Sequence, residues 1–123
     1  MFDVENVVLR PPSLEDGMAA CRLIERCPPL DTNSSYCNFL QCDHFSNTSV
    51  AAEVEGVLVG FISGYIVPQR PDTLFIWQVA VAPEARGVRL ASRMLGNILA
   101  RPDCEVSYLE TSITQDNQAS WAL

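Results

Sequence analysis

The residues best spaced for chemistry lie in the stretch Val79-Ala80-Val81-Ala82-Pro83-Glu84-Ala85-Arg86-Gly87-Val88-Arg89-Leu90-Ala91. A β-branched run closed by proline, followed by Arg-Gly and then an apolar periodic segment, describes a strand, a tight turn and the start of a helix. A helix N-terminus presents backbone N–H groups that have no intrahelical acceptor, together with the positive end of the helix dipole, and so suits a pyrophosphate. One Arg-Gly at a helix start also fits an ordinary solvated turn. A second grouping, Cys37, Cys42 and His44, has metal-binding residue types but lacks a fourth ligand and follows no zinc spacing. The five cysteines contain no CxxC pair, so neither a disulfide framework nor a metal is expected. They read as reduced, small apolar residues on helix faces.

The elements that position these residues follow from periodicity and punctuation. Val4 to Arg10 reads as a first strand, stopped by Pro11 and Pro12, which cannot donate to a sheet ladder. Ser13 suits an N-cap, with Glu15 and Asp16 in the first turn, and Leu14, Met18, Cys21 and Ile24 give a helix one apolar face that ends before Pro28-Pro29. A loop over Leu30-Asp31-Thr32-Asn33 leads to a second helix, Ser34 to Phe45, capped by Ser34 or Asn33. Thr48 to Val54 and Val57 to Val67 form a hairpin around Glu55-Gly56. After a loop from Pro68 to Asp72 comes a fourth strand, Thr73 to Val81, then a helix from Arg86 to Ala100 and a fifth strand from Val106 to Ser112. Asp116-Asn117 caps a further helix start. The order is that of a mixed α/β sheet with a central meander, neither doubly wound nor a sandwich.

Composition narrows the function classes. The 123 residues suffice for one domain, with 48% hydrophobic and 19% charged residues and no repeat. The longest apolar-rich run, Val57 to Val67, is far shorter than the roughly 20 residues of a membrane helix, so no membrane partner is expected. The acidic start lacks the basic and apolar regions of a signal peptide, which points to the cytoplasm. Net charge is −7 and all eight basic residues are arginine. Such a surface repels phosphate backbones and argues against nucleic acid. It suits a cationic small molecule, although an acidic balance is also common among soluble proteins.

The Val-x-Val-x-Pro run before Arg86 resembles the acetyl-CoA loop of the GNAT superfamily of N-acetyltransferases. The blocks CPPLDTNSSY (Cys27 to Tyr36), CDHF (Cys42 to Phe45), VGFISGYIVP (Val59 to Pro68), PDTLFIWQVAV (Pro71 to Val81) and LETSIT (Leu109 to Thr114), with Asn117, resemble the diaminobutyrate acetyltransferases of that superfamily, in the same order. The resemblance implies a GNAT acyl-CoA N-acyltransferase fold, a mixed and mostly antiparallel sheet flanked by helices. It implies transfer of acetyl from acetyl-CoA to the 4-amino group of L-2,4-diaminobutyrate, the step that feeds synthesis of the osmoprotectant ectoine. It assigns Val79, Ala80 and Val81 to the pantetheine arm, and Arg86, Gly87, Val88, Arg89, Leu90, Ala91 and Asn117 to the rest of the cosubstrate.

Around the diamino acid the resemblance places Asp31, Asn33, Ser34, Tyr36, Trp77 and Glu110. An alkyl ammonium, with a pKa near ~10.4, must lose a proton before it attacks a thioester. Glu110 is the first candidate base and Asp31 the second; a backbone N–H near Val79 is the candidate oxyanion donor. Each has a plainer alternative: an Asx turn for Asp31, a capping group for Asn33, Ser34 and Tyr36, core packing for Trp77, a solvated edge for Glu110, and the end of its helix for His44. Arg89 departs from the family's Arg-Gly-x-Gly pattern at the second glycine and is expected to weaken acetyl-CoA binding. Residues 1–123 are expected to be one acetyltransferase domain incomplete at its C-terminus, with two further strands and a thiolate-protonating tyrosine outside it. An uncovered strand five then implies a homodimer. Two other readings stay open: a GNAT enzyme for another small amine, and an impaired relic that binds CoA or serves as an interaction module.

Overall fold

The computed structural model describes residues 4–111. Asn117, Ser112 and the helix start at Asp116 lie outside the described residues. A single five-stranded sheet runs in the order β1 (Val8–Arg10), β2 (Val50–Val54), β3 (Val57–Val67), β4 (Arg70–Val81), β5 (Tyr108–Thr111). The first four strands are antiparallel neighbours, and β5 pairs with β4 in parallel after the crossover through a helix. The helices are α1 (Gly17–Glu25), α2 (Ser35–Asp43) and α3 (Leu90–Leu99).

Several boundaries are tighter than periodicity predicts, each for a local reason. The first strand shrinks from Val4–Arg10 to three residues, because Val8 already pairs with Glu53 and β2 turns away after Val54; Val4–Asn6 form a 3-10 turn. Asp16 folds back to accept the Ser13 N–H at 2.7 Å, so Leu14–Asp16 form a 3-10 turn before α1. Ser34 caps α2 as expected, accepting the Cys37 N–H at 3.1 Å. That helix stops at Asp43, with exposed His44 as its C-cap, instead of reaching Phe45. Thr48 is diverted from the strand into a 3-10 turn, and its hydroxyl donates to the Gly64 carbonyl at 2.6 Å. Glu55 and Gly56, at φ 51° and 81°, form the hairpin turn. The loop expected over Pro68–Asp72 is only Pro68-Gln69, because Arg70 already pairs with Val67.

The core lies on both faces of the sheet. Ala20, Leu23 and Ile24 of α1 are buried, as are Leu90, Met94 and Ile98 of α3. A Cβ on Gly60 would lie 2.8 Å from the Met94 sulfur, so α3 rests directly on the β3 backbone. Gly60, Ile62 and their partners Val81 and Val79 therefore face α3, while Phe61, Ser63, Ala80 and Gln78 face α1 and α2. Phe61 and Ile62 are both fully buried, and burying each such side chain contributes about 1.5–3 kcal/mol.

The β3–β4 register slips by one residue between the pairs Ser63↔Gln78 and Gly64↔Ile76, leaving Trp77 without a partner residue on β3. This is a β-bulge, and it sets two consecutive side chains toward one face. Tyr65 and Phe75 are opposite each other, two residues from Ser63 on the α1–α2 side. The Trp77 ring lies 6.4 Å from that of Phe75, which places it on the same face as Gln78.

Candidate functional site

Strand β4 brings the sequence-predicted residues together. Ala82 donates its N–H to the Val59 carbonyl at 2.8 Å, which fixes the alternation of the ladder. Even-numbered residues of this part of β4 bond to β3, and the amides and carbonyls of Val79 and Val81 point to the other side. On that side β5 covers only Thr73–Ile76, so among the described residues no strand pairs with Trp77–Val81. The Val81 carbonyl on this edge is occupied, by Arg86 Nε at 3.0 Å and the Cys27 thiol at 3.4 Å. The Val79 and Val81 N–H groups are the donors the edge presents.

The strand then turns into α3 by a route that sequence alone does not reveal. Pro83–Ala85 form a 3-10 turn, Arg86 is extended, Gly87 has φ 86° and Arg89 has φ 59°. The helix consequently begins at Leu90 and not at Arg86. Arg89 is its N-cap, with its carbonyl accepting the Arg93 N–H at 3.1 Å, so Leu90, Ala91 and Ser92 hold the amides at the open end of the helix. A Cβ on Gly87 would meet nothing within 4 Å, so its backbone is open to a large anion. Val88 is half-buried, whereas Arg86, Gly87 and Arg89 are exposed. The residue types and this geometry suit a diphosphate. The second glycine of the family pattern thereby acquires a further physical reason: that position is left-handed, a conformation costing a side chain about 1–2 kcal/mol.

A second group gathers on the α1–α2 face. The Asp31–Asn33 loop follows the cis peptide bond Pro28-Pro29. Asp31 Oδ1 accepts the Asn33 N–H at 3.1 Å, the Asx turn named above as its plainer role. No hydrogen bond to Asp31 Oδ2 occurs among the described residues, and the residue is exposed. Asn33, at φ 58°, donates from Nδ2 to Asn38 Oδ1 at 3.1 Å and to Gln78 Oε1 at 2.8 Å. Gln78 Nε2 donates in turn to the Asp31 carbonyl at 2.5 Å. Asn38 reaches the Thr32 carbonyl at 3.3 Å and Cys21 Sγ at 3.2 Å. Ser34 and Tyr36 are exposed at the start of α2, and Trp77 is 41% exposed, more than a core tryptophan would be.

Glu110 stands apart from this group. It lies within β5, level with Phe75 and on the same face. At about 3.3 Å per residue that is about 13 Å along β4 from Val79, beyond the reach of a glutamate side chain. Arg70 Nη2 holds its carboxylate at 2.7 Å. The two line an open cavity of about 500 Å³ with Asp72, Thr73, Tyr108 and Leu109. Gln78, Asn38 and Arg70 were not among the predicted site residues. A glutamine within an apolar strand was the available signal for the first.

The cysteines are chemically quiet. Cys42 is fully buried, and burial pushes its thiol pKa up to about 12. Cys37 and Cys104 are raised by desolvation as well. Among the described residues no three His, Cys, Asp or Glu side chains cluster as a metal site. Among them, too, no helix is long and apolar enough to cross a membrane.

The model of the acetyltransferase (GNAT) family matches residues 18–123. The chain is 58% identical over 118 residues to the L-2,4-diaminobutyric acid acetyltransferase of Methylotuvimicrobium alcaliphilum, covering 95% of this chain and 69% of that protein. It is 57% identical to the enzyme of the same name from Vibrio parahaemolyticus, covering 94% and 65%. A solved structure of the diaminobutyrate acetyltransferase EctA from Paenibacillus lautus, in complex with L-2,4-diaminobutyric acid and coenzyme A, superposes with a TM-score of 0.90 at 42% identity, covering 94% of this chain and 70% of that one. The chain thus spans about two thirds of the length of these relatives.

Proposed function

Because this chain belongs to the acetyltransferase (GNAT) family, within its diaminobutyric acid acetyltransferase group, we propose that it moves acetyl from acetyl-CoA to the 4-amino group of L-2,4-diaminobutyrate. The product, N4-acetyl-L-2,4-diaminobutyrate, serves ectoine synthesis and so osmoprotection. The observation that carries this reading is the 0.90 superposition on a 42% identical enzyme holding diaminobutyric acid and coenzyme A. Supporting it, the open Val79–Val81 edge, the α3 N-terminus and the Asp31–Tyr36 loop converge on one end of β4.

In this reading the chain's residues divide the work. Arg86, Gly87, Val88, Arg89, Leu90 and Ala91 hold the diphosphate, with Asn117 a further contact to the cosubstrate, and Val79–Val81 hold the pantetheine arm. The substrate amine loses a proton to a carboxylate and attacks the thioester carbonyl carbon. The Val79 N–H stabilises the resulting oxyanion, which collapses to the amide as the C–S bond breaks and the nitrogen's second proton passes to the departing thiolate. Asp31, held by its carbonyl to the residue beside Val79, is the carboxylate nearer the reacting centre. Glu110 reaches it only through water, and Arg70 neutralises its charge. Asn33, Ser34, Tyr36 and Trp77 frame the diamino acid.

We place the protein in the cytoplasm, where its acetyl donor is made. We also assign it a homodimer through β5, whose Tyr108 and Leu109 are 63% and 48% exposed; a monodisperse monomer in ultracentrifugation would refute that contact. The activity is tested with purified chain, acetyl-CoA and a panel of small amines, read by thiol release. Preference for diaminobutyrate is expected, and equal rates across the panel would overturn the substrate assignment. The left-handed Arg89 favours one second reading, an impaired CoA-binding relic, which requires CoA binding without turnover at any amine concentration.

A further inference from the structure

We infer that Gln78 is a positioning residue that sets the distance between the amine-binding loop and the oxyanion donor; this rests on the acetyltransferase reading above. Both ends of its amide are committed to one loop: Nε2 to the Asp31 carbonyl at 2.5 Å and Oε1 to Asn33 Nδ2 at 2.8 Å. The side chain is 7% exposed, so its amide is withdrawn from water and depends on these partners. Its backbone belongs to the β3–β4 ladder, opposite Ser63, and the next residue is Val79. One side chain therefore joins the rigid strand carrying the edge N–H to the exposed loop carrying Asp31.

Three further observations single out Gln78 from ordinary core polarity. First, the bulge at Trp77 is what turns Gln78 toward the loop: in a regular ladder with Trp77 paired, the strand parity set at Phe75 would send position 78 to the α3 face. Second, Asn33 sits at φ 58°, a conformation that needs support from its surroundings, and its amide is shared between Gln78 and Asn38. Third, the loop has no strand ladder of its own; Asp31–Asn33 lie between α1 and α2. Among the described residues, their hydrogen bonds to the sheet are this pair of amide contacts. A loop displaced by about 1 Å at a reacting centre loses about 100-fold in rate.

The test compares wild type with Gln78→Met, which keeps the length and loses both hydrogen bonds, and Gln78→Glu, which keeps an acceptor for Asn33 and loses the donor to Asp31. For Gln78→Met, kcat/KM for diaminobutyrate is expected to fall about 100-fold while KM for acetyl-CoA stays at the wild-type value; Gln78→Glu is expected to fall between the two. Wild-type kcat/KM in Gln78→Met, or an equal loss of acetyl-CoA affinity, overturns the inference. Amide hydrogen exchange on the same proteins separates this failure from failure of the function: Thr32 and Asn33 should exchange at least tenfold faster in Gln78→Met, with α3 unchanged. If wild type shows no turnover, the acetyltransferase reading falls, and exchange alone decides: unchanged protection of the loop sinks the positioning role.

Discussion

The two halves of the proposed site are made of different materials. At the β4–α3 turn the working groups are backbone: the amides of Val79, Leu90 and Ala91, exposed by an unpaired edge and a helix start, and two positive-φ residues, Gly87 and Arg89. At the amine loop they are side chains, suspended on the amides of half-buried Asn33 and buried Asn38 and Gln78. A backbone site tolerates most substitutions except those that alter φ. A side-chain site is sensitive at each member, because every hydrogen bond in it is made once.

The comparison is broken most severely at Asp31. Asp31→Asn keeps the Asx-turn acceptor and removes only the charge, so kcat/KM for diaminobutyrate should fall about 100-fold with acetyl-CoA affinity intact. Glu110→Gln should cost less than about tenfold, and the reverse ranking in steady-state kinetics would restore Glu110 as the principal base. Next in size is Gly87→Val at φ 86°: strain of about 1–3 kcal/mol should loosen acetyl-CoA roughly five- to hundredfold by calorimetry, with the amine loop unaffected. Arg89→Gly should act in the opposite sense, relieving about 1 kcal/mol and tightening acetyl-CoA several-fold; equal affinities would show that the arginine is harmless there.

The smallest effect on catalysis belongs to a cluster outside both halves. Arg10 binds the Asp16 carboxylate through both terminal nitrogens, at 2.8 and 2.9 Å, and Glu53 through Nε at 2.5 Å. The Arg10 hydrogen bond, ahead of the opposing effect of burial, holds the Asp16 carboxyl below its ordinary range. A depressed folded-state pKa contributes stability above the usual carboxylate range, and that stability is lost as pH falls through the folded value. Asp16→Asn should therefore lower stability by about 2 kcal/mol at neutral pH and erase part of the acid dependence in thermal melts. It should leave both Michaelis constants unchanged.

Legibility in the sequence follows the same division. The β2–β3 hairpin was readable because Glu55-Gly56 suits a turn with two positive φ values, and Ser34 was readable because capping chemistry is local. The order of elements and the GNAT sheet followed from punctuation and quoted blocks. The bulge at Trp77 was not readable, since one extra residue in an apolar strand leaves no mark on composition. The late start of α3 was hidden for a related reason: Arg-Gly-Val-Arg looks helical until position 89 proves left-handed. Gln78 and Asn38 escaped because their partners lie 45 and 5 residues away from them, and pairing across 45 residues has no periodic signature.

The single unmatched residue in β4 works as a half-twist between two machines on one shaft. Below it, the strand's parity is locked to β3 and β5; above it, the opposite parity aims Val79 outward and Gln78 at the loop. Drawing Trp77 into a regular ladder would therefore do more than move an aromatic wall. Pairing Trp77 with β3 would turn the Val79 amide inward and point Ala80 where Val79 had been, so no compensating change of side chains alone could restore the site.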